Sequence, residues 1–428
     1  MLFRNIKILD ENFDVKDNMY VATEGNRIAY IGTEMPEKSY GEVYDGKGKL
    51  LMPGFVNTHA HSPMTLMRGY GENYNLQDWL NLKIFPFEAH LDSEAIYWGT
   101  TLAMAESLRF GIVSSTDMYY FLDDIARAVK DAGARENISF AITQFDDSDP
   151  KMLSGFKEME NSLRTLHKAF DDRVRIDASI HAEYTSNPKT VEAVSAFAKE
   201  NGINMHIHVS ETLSEHLACK EKYGLTPVQY MEKHNALCVP ATLAHCVHIE
   251  ECDYEILKSR GVTVASNPIS NLKLASGVCN VPRLLREGIS VGIGTDSVAS
   301  NNSLNFFEEM KVFAISSKMM YKDPTAVTPK ETLYAATRAG ALSQGRQDAG
   351  LLKEGFLADL IVLDVDKPNM HPVTEMVNNL VYSASGSDVV LTMVNGEVLF
   401  RDNEYKTIDV ERVYREVENK RKEIISKI

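Results

Sequence analysis

The sequence predicts an α/β fold in which a (β/α)8 TIM barrel carries a small discontinuous β-sandwich domain built from both chain ends. Three observations predict it. Apolar runs of strand length alternate with amphipathic helical stretches through the middle of the chain, which is typical of parallel βα units. Both ends of the chain have shorter, turn-broken β-like runs. The length of 428 residues suits a large barrel with a smaller companion domain.

Residues 1–50 are predicted to form the N-terminal part of the β-sandwich. Short β-like runs cover residues 3–9, 19–23 and 27–32, and turn residues separate them. Gly25 and Asn26 lie between the second and third runs and predict a hairpin turn. This segment contains no catalytic constellation.

Residues 51–345 are predicted to form the barrel. In this fold the active site is built at the C-terminal ends of the strands. His181, His208, His245 and Asp296 all lie at such ends, which scattered polar residues would mostly not do. The eight predicted strands cover residues 51–59, 112–117, 138–145, 174–181, 204–208, 241–245, 262–266 and 289–296.

A long excursion, residues 69–91, separates the first strand from the helix that begins near Ser93. It contains Trp79 and Glu88 among several aromatic residues. A long insertion on the catalytic face often forms a lid or a wall for the substrate. Surface decoration that packs on its own aromatic residues is an equally weighted alternative.

The segment after the barrel is predicted to return to the β-sandwich over residues 346–408 and to end in a helix over residues 409–428. Asn395-Gly396 is a strong type I′ hairpin signal. In the final helix one side is apolar, which predicts packing against the body of the protein or against a partner subunit. The apolar residues are Val410, Val413, Val417 and Ile424.

Composition excludes several classes of function. The net charge of −15 disfavours binding to nucleic acid or to an anionic membrane, because the field of the protein repels phosphates. The five cysteines contain no C-x-x-C pair and are odd in number, so neither a disulfide framework nor a thiolate zinc site is indicated. With no signal-peptide or membrane-spanning segment, the sequence predicts a cytoplasmic protein that acts on a small neutral or cationic molecule.

A metal centre is the chemistry that the strand-end residues suggest. His59 and His61 alternate along one strand and therefore project from the same face. Alone, a His-x-His pair is a weak signal, because it is more often two ordinary histidines. With His208 and Asp296 it makes a ligand set that leaves an open position for water, as catalytic zinc requires. His245 is then placed to hydrogen-bond that water.

Glu211 follows His208 by three residues and is expected to lean over the metal without binding it. A partly desolvated carboxyl group there suits proton transfer to a ring nitrogen. Alternatively, Glu211 only supplies a negative charge that is stabilised at a helix N-terminus, and the two roles are compatible. His206 shares a strand face with His208 but is expected one layer deeper, as a core residue. We expect one zinc ion per subunit, with iron or manganese also compatible.

The chain resembles the amidohydrolase superfamily and, within it, the 5′-methylthioadenosine/S-adenosylhomocysteine deaminase family. The match runs nearly from end to end and is more specific for the superfamily than for the subgroup. Its motifs are PGFVNTHAHSPMTLMRG at 53–69, the stretch 79–88, HVSET at 208–212, AHCVH at 244–248, SNPISNLKL at 266–274 and GTDSVASNNSLN at 294–305.

The resemblance implies a role for each candidate site residue. His59, His61, His208 and Asp296 bind the metal. Glu211 protonates the purine ring, and Asp296 carries a proton from water to the departing ammonia. Glu88 holds the ribose hydroxyls, His181 contacts the nucleoside, and Trp79 lies near the 5′ substituent. The implied reaction is hydrolytic deamination of an adenosine-type nucleoside: 5′-methylthioadenosine, S-adenosylhomocysteine, 5′-deoxyadenosine or adenosine. A homo-oligomer is possible.

One departure from the resemblance concerns the 5′ group. Relatives that bind the homocysteine carboxylate use arginine in and after the third strand, whereas residues 138–150 contain none. Asp146 and Asp147 are expected to repel a carboxylate, so we expect a preference for uncharged 5′ groups.

Several other activities remain as alternatives. At the same centre, guanine or cytosine deamination or s-triazine hydrolysis is possible, and Glu88 argues against these because such substrates lack a ribose. A non-catalytic metal-binding scaffold on the same barrel would not need Glu211. The zinc deaminases with H-x-E and P-C-x-x-C signatures are excluded by the lack of C-x-x-C.

Overall fold

The computed structural model describes residues 1–428, and its strands form an outer sheet and a barrel. Five strands precede the barrel: β1 (Leu2–Leu9), β2 (Val15–Glu24), β3 (Arg27–Gly32), β4 (Val43–Asp45) and β5 (Lys49–Pro53). The barrel strands are β6 (Phe55–Ala60), β7 (Ile112–Tyr119), β8 (Arg135–Phe140), β9 (Val174–Ile176), β10 (Ala178–Ser179), β11 (Met205–Val209), β12 (Ala241–His245), β13 (Thr263–Ser266) and β14 (Ser290–Ile293). Four strands follow: β15 (Leu360–Asp364), β16 (Val389–Val394), β17 (Glu397–Arg401) and β18 (Glu404–Tyr405).

Helices follow most barrel strands, and further helices extend the connections. They are α1 (Leu76–Trp79), α2 (Phe85–Glu88), α3 (Ser93–Arg109), α4 (Leu122–Ala132), α5 (Ser154–Leu166), α6 (Ala169–Asp172), α7 (Pro188–Asn201), α8 (Leu213–Tyr223), α9 (Pro227–Lys233), α10 (Glu251–Arg260), α11 (Pro268–Lys273), α12 (Val281–Arg286), α13 (Val298–Asn301), α14 (Phe306–Tyr321), α15 (Pro329–Ala336), α16 (Arg338–Ser343), α17 (Met376–Tyr382) and α18 (Val410–Ile425). None of them combines the length and the apolar character that crossing a membrane requires.

The outer sheet joins the two ends of the chain. Its strands run in the order β18-β17-β16-β15-β5-β1-β2-β3, with β4 beside β1. The junction is the antiparallel pair β5–β15, in which Pro53 lies opposite Leu360. Side chains from both ends, including Phe3 and Leu391, pack into a core separate from that of the barrel. The domain predicted as a β-sandwich from both chain ends is therefore confirmed as a β-rich domain, whereas the division at residues 50, 345 and 408 stays a prediction.

Two predicted hairpins are present in this sheet. Glu24 pairs with Arg27 across Gly25 and Asn26, and Val394 pairs with Glu397 across the second turn. Asn395 and Gly396 have φ angles of +55° and +79°. A type I′ turn requires this left-handed conformation at both central positions, which Asn-Gly adopts at low cost.

The barrel consists of two parallel sheets, β6 to β9 and β10 to β14. Single β-bridges join their edges, Ile142 to Ile180 on one side and Ala60 to Asp296 on the other. With β9 and β10 as two parts of one position, eight strands close around the axis. The predicted (β/α)8 barrel is confirmed, and its strands end on the face that carries the histidines.

The predicted first strand, residues 51–59, was wrong in one respect, since it joins two strands. β5 belongs to the outer sheet and β6 to the barrel, with the change of direction at Gly54. A Cβ atom at Gly54 would lie 2.2 Å from Val113 Cγ1, so only glycine allows this crossing.

The third and fourth strands also differ from the prediction. β8 begins at Arg135 rather than Ile138, because its polar start is paired within the structure: Arg135 with Asp359, and Glu136 with Ser62. Burial of such residues depends on partners that a local pattern does not reveal. The fourth strand is interrupted at Asp177, which accepts a hydrogen bond from Asn137 (2.9 Å).

The final helix packs against the body of the protein. Val413, Val417 and Ile424 of α18 are buried against the region around α3, and Lys420 Nζ lies 2.8 Å from Asp92 Oδ2. Val410 is only half-buried. Of the two predicted possibilities, the body of the protein and a partner subunit, the helix therefore packs against the body of the protein.

Candidate active site

One cavity of about 610 Å³ opens at the C-terminal ends of the barrel strands. It brings together residues that are far apart in the sequence. Every predicted site residue except His59 lines it: His61, Trp79, Glu88, His181, His208, Glu211, His245 and Asp296. His59 is fully buried below them.

The four predicted metal ligands converge at the floor of this cavity. Asp296 Oδ1 lies 3.4 Å from His59 Nε2 and 3.4 Å from His61 Nε2. His208 Nε2 lies 3.3 Å from His61 Nε2. Donor atoms that bind one ion at about 2.0–2.1 Å lie about 3–3.5 Å apart, so the spacing suits a shared cation. His245 also offers a nitrogen close to those of His59 and His208.

Backbone carbonyl groups fix two of these imidazoles. His61 Nδ1 donates to Met118 O (2.6 Å), and His208 Nδ1 donates to His181 O (2.8 Å). Because each Nδ1 then carries the proton, each Nε2 presents a lone pair to the centre. Burial and the neighbouring imidazoles lower the pKa of His208 well below its usual value, which favours the neutral ligand form.

His206 holds the third imidazole. It is fully buried one layer below His208, as predicted, but its Nε2 lies 2.9 Å from His59 Nδ1. His59 Nε2 has no hydrogen-bond partner and faces Asp296. Burial lowers the pKa of His59 to about 3, so the ring is neutral. The prediction that His206 is only a core residue missed its contact with His59. The strand face that His206 shares with His208 indicated that it could reach the site.

Asp296 is held in a strained but well-bonded conformation. Its φ angle is +59°, in the left-handed region that an aspartate seldom adopts. Ser270 Oγ and Ser300 Oγ donate to Oδ2 (2.5 and 3.1 Å), and Ser297 N donates to Oδ1 (2.7 Å). Although burial acts in the opposite direction, His59 and His61 hold the pKa of Asp296 well below its usual range. The carboxylate is therefore ionised and fixed in orientation.

Glu211 and His245 form the polar wall beside the cation site. Glu211 Oε2 lies 3.7 Å from His245 Nε2, and Ser276 Oγ donates to Glu211 Oε1 (3.3 Å). Burial raises the pKa of Glu211 to about 7, so this carboxyl group carries a proton near neutral pH. His248 lies outside the cavity and bonds to Ser276 O (2.8 Å).

The insertion after β6 forms part of the cavity wall, which was one of its two predicted roles. Leu76, Trp79 and Leu80 line the cavity there, and Glu88 follows on α2. Glu88 Oε1 accepts a hydrogen bond from Tyr119 Oη (2.7 Å). Sequence reasoning missed Tyr119 because the predicted strand stopped at Asp117, whereas β7 continues to Tyr119. A longer strand would have placed it among the strand-end candidates.

The acidic residues that line the cavity are not the ones that the sequence predicted. Asp146 turns into its own loop, where Ser148 Oγ donates to it at 2.6 Å, and neither it nor Asp147 lines the cavity. Carboxyl groups of Glu88, Glu211 and Asp296 line it instead, and no lysine or arginine does. The expected repulsion of a 5′ carboxylate by Asp146 and Asp147 is therefore replaced by the effect of an apolar cavity that three acidic residues line.

Comparisons with known proteins agree with this architecture. The amidohydrolase family model matches residues 50–399. A protein named 5-methylthioadenosine/S-adenosylhomocysteine deaminase from Caldanaerobacter subterraneus subsp. tengcongensis is 39% identical over 427 residues, covering 99% of this chain and 98% of the relative. One named 5′-deoxyadenosine deaminase from Methanocaldococcus jannaschii is 39% identical over 402 residues, covering 93% and 94%.

A solved structure is also similar over nearly the whole chain. It is described as an adenosine deaminase from Xanthomonas campestris with bound zinc, and it superposes with a TM-score of 0.93 at 29% identity. The alignment covers 99% of this chain and 98% of that one. On the family match, the full-length relatives and the shared barrel, the chain belongs to the amidohydrolase family.

Proposed function

We propose that the protein hydrolyses the 6-amino group of adenosine-type nucleosides. Water and the nucleoside give the inosine analogue and ammonia. The observation that carries the proposal is the convergence of His59, His61, His208 and Asp296 at the floor of a cavity that also contains Glu211 and Glu88. The names of the 39% identical relatives support the same substrate class.

The donor set fits one divalent cation, and we propose zinc, one per subunit. Three imidazole nitrogens and one ionised carboxylate match the preferences of zinc, and iron and manganese also accept such ligands. His59 Nε2 is buried without a hydrogen-bond partner, which a bound cation would satisfy. When bound, the ion supplies Lewis acidity that lowers the pKa of water toward neutrality.

The side chains around this centre have separate tasks. Glu211, protonated near neutral pH, donates its proton to the ring nitrogen next to the amino-bearing carbon. Asp296, ionised and fixed by Ser270 and Ser300, accepts a proton from the attacking water and passes it to the leaving amino group. His245 orients the water, with its Nδ1 held 2.8 Å from Asn271 Oδ1.

The walls of the cavity determine what is bound. Glu88 accepts hydrogen bonds from the ribose hydroxyls, and His181 contacts the nucleoside. Burial lowers the pKa of His181 to about 4, so it binds as a neutral ring. Trp79 and its apolar neighbours surround the 5′ substituent. Because no lysine or arginine lines the cavity, methylthio, hydrogen or hydroxyl at the 5′ position is preferred to a homocysteine carboxylate.

A spectrophotometric substrate screen with parallel metal analysis tests this proposal. It compares adenosine, 5′-deoxyadenosine, 5′-methylthioadenosine, S-adenosylhomocysteine, adenine, guanine and cytosine. We expect deamination of the nucleosides, with a higher kcat/KM for the uncharged 5′ groups. Equal kcat/KM for S-adenosylhomocysteine would contradict the 5′ preference alone. Turnover of free bases only would contradict the nucleoside assignment and favour a guanine or cytosine deaminase.

The five cysteines are free thiols, which supports a reducing compartment, and we propose the cytoplasm on that ground.

A further inference from the structure

We propose that Tyr119 is a specificity-determining residue, which fixes Glu88 and forms with it a two-acceptor receptor for the cis-diol of the sugar. The proposal rests on the proposed nucleoside deaminase function and extends it to a residue that the sequence motifs do not include. It makes the number of sugar hydroxyls, rather than the base alone, a condition for tight binding.

The geometry of the pair is well defined. Tyr119 is the last residue of β7, only 3% exposed, and lines the cavity with Glu88. Its Oη donates to Glu88 Oε1 over 2.7 Å. Its ring centroid lies 6.3 Å from that of His61, so the pair lies next to the proposed cation site. A rigid barrel strand therefore positions a carboxylate that arises from the more irregular insertion.

The balance of donors and acceptors gives the specificity. Above its pKa of about 7, the Glu88 carboxylate only accepts hydrogen bonds, so the single phenolic proton of Tyr119 is committed to Glu88 Oε1. Two acceptors then remain at the pair: Glu88 Oε2 and the lone pairs of Tyr119 Oη. Vicinal sugar hydroxyls bring two donors, and a deoxy sugar leaves an acceptor unpaired in a mostly buried site.

Tyr119 also favours the charge state that this receptor needs. Burial raises the pKa of Glu88 to about 7, and the hydrogen bond from Tyr119 opposes that rise. Removal of the phenolic hydroxyl of Tyr119 would therefore release the Glu88 carboxylate from its orientation. It would also raise the pKa of Glu88 and so reduce its strength as a hydrogen-bond acceptor. The ring itself would still pack, because phenylalanine retains it.

Steady-state kinetics with adenosine and 2′,3′-dideoxyadenosine, which differ only in the two hydroxyls, test the proposal. Tyr119→Phe is expected to reduce the preference for adenosine roughly 10-fold or more, mainly through KM, with kcat changed far less. Tyr97→Phe is the matched control, since it removes a tyrosine–carboxylate bond of 3.0 Å to Asp131 on the surface. It should leave the preference unchanged.

Glu88→Gln provides a second, independent measurement if Tyr119→Phe does not fold. If Tyr119 anchors the side chain, the amide oxygen takes the tyrosine proton and an N–H donor replaces Glu88 Oε2, so Tyr119 Oη is the one acceptor left at the pair and the preference is strongly reduced. If Tyr119 does not anchor it, the amide can turn its oxygen to the diol, and a retained preference overturns the proposal.

Two other results are distinguishable. An unchanged preference in folded Tyr119→Phe, or an equal loss of activity on both substrates, overturns the role of Tyr119 while the proposed function stands. A wild-type enzyme that deaminates neither nucleoside overturns the proposed function itself, and with it the basis of this inference.

Discussion

His61 Nε2 and His208 Nε2 lie 3.3 Å apart, although the opposite nitrogen of each ring donates to a backbone carbonyl group. Two neutral imidazoles with these tautomers direct lone pairs at each other. A positive charge between the rings turns this repulsion into attraction. Asp296 raises the pKa of His61 even though burial acts to lower it, so the site is set up to hold either a proton or a metal cation.

Removal of His208 is expected to release the metal. Because the remaining donors would leave the site incomplete, His208→Ala should retain less than about a tenth of the metal bound by the wild type. Metal content by mass spectrometry measures this. His371→Ala, at an exposed histidine outside the site, is the control. Equal metal content in the two variants would argue against this ligand set.

Chelation is expected to lower the melting temperature of the wild type. A ligand that binds only the folded chain stabilises it by mass action, and loss of the cation also restores the repulsion between His61 and His208. Differential scanning calorimetry before and after dialysis against a chelator measures the shift, and added zinc should reverse it. His208→Ala should show little shift under the same treatment.

His206→Phe is expected to weaken metal binding although His206 does not face the cavity. His59 Nδ1 would lose its partner at 2.9 Å, and loss of such an outer contact typically costs 10–100-fold in metal affinity. Competition with a fluorescent chelator measures the affinity. If affinity and melting temperature of the metal-free variant both match the wild type, His206 is a packing residue only.

The pH dependence of activity should follow Glu211. Burial raises its pKa to about 7, so its proton is present below that pH and is lost as pH rises. With Glu211 as the proton donor, kcat/KM should fall about tenfold for each pH unit well above 7. Rates measured from pH 6 to 9.5 at saturating metal test this. Glu211→Gln should lose about 10²–10⁴ in rate, and a flat wild-type profile would exclude this donor.

A second buried carboxyl group should make stability depend on pH. Burial raises the pKa of Glu309 to about 8, with Asn301 and Ile269 N as partners. Since the folded pKa exceeds the unfolded one, its stabilising effect is full below about pH 4.5 and is lost as pH rises through about 8. In the wild type the free energy of unfolding should fall by a few kcal/mol between these pH values, and in Glu309→Gln this fall should be absent. Urea unfolding at a series of pH values measures it.

Much of the candidate site could be predicted from local patterns. His59 and His61 alternate on one strand, and His208 and Asp296 lie at the ends of later ones. Once the chain is read as a barrel, these positions meet at one face. The catalytic and binding roles of these residues stay predictions.

The sequence by itself determined the alternation of strands and helices in the barrel, the hairpin at Asn395-Gly396 and the residues that can bind a cation, because strand alternation and turn conformation are local properties. Only the tertiary structure decided that His206 supports His59, that Tyr119 holds Glu88, and that Arg135 begins a strand. Each of these depends on a partner distant in sequence, and the burial of a polar group is favourable only when that partner is in contact with it.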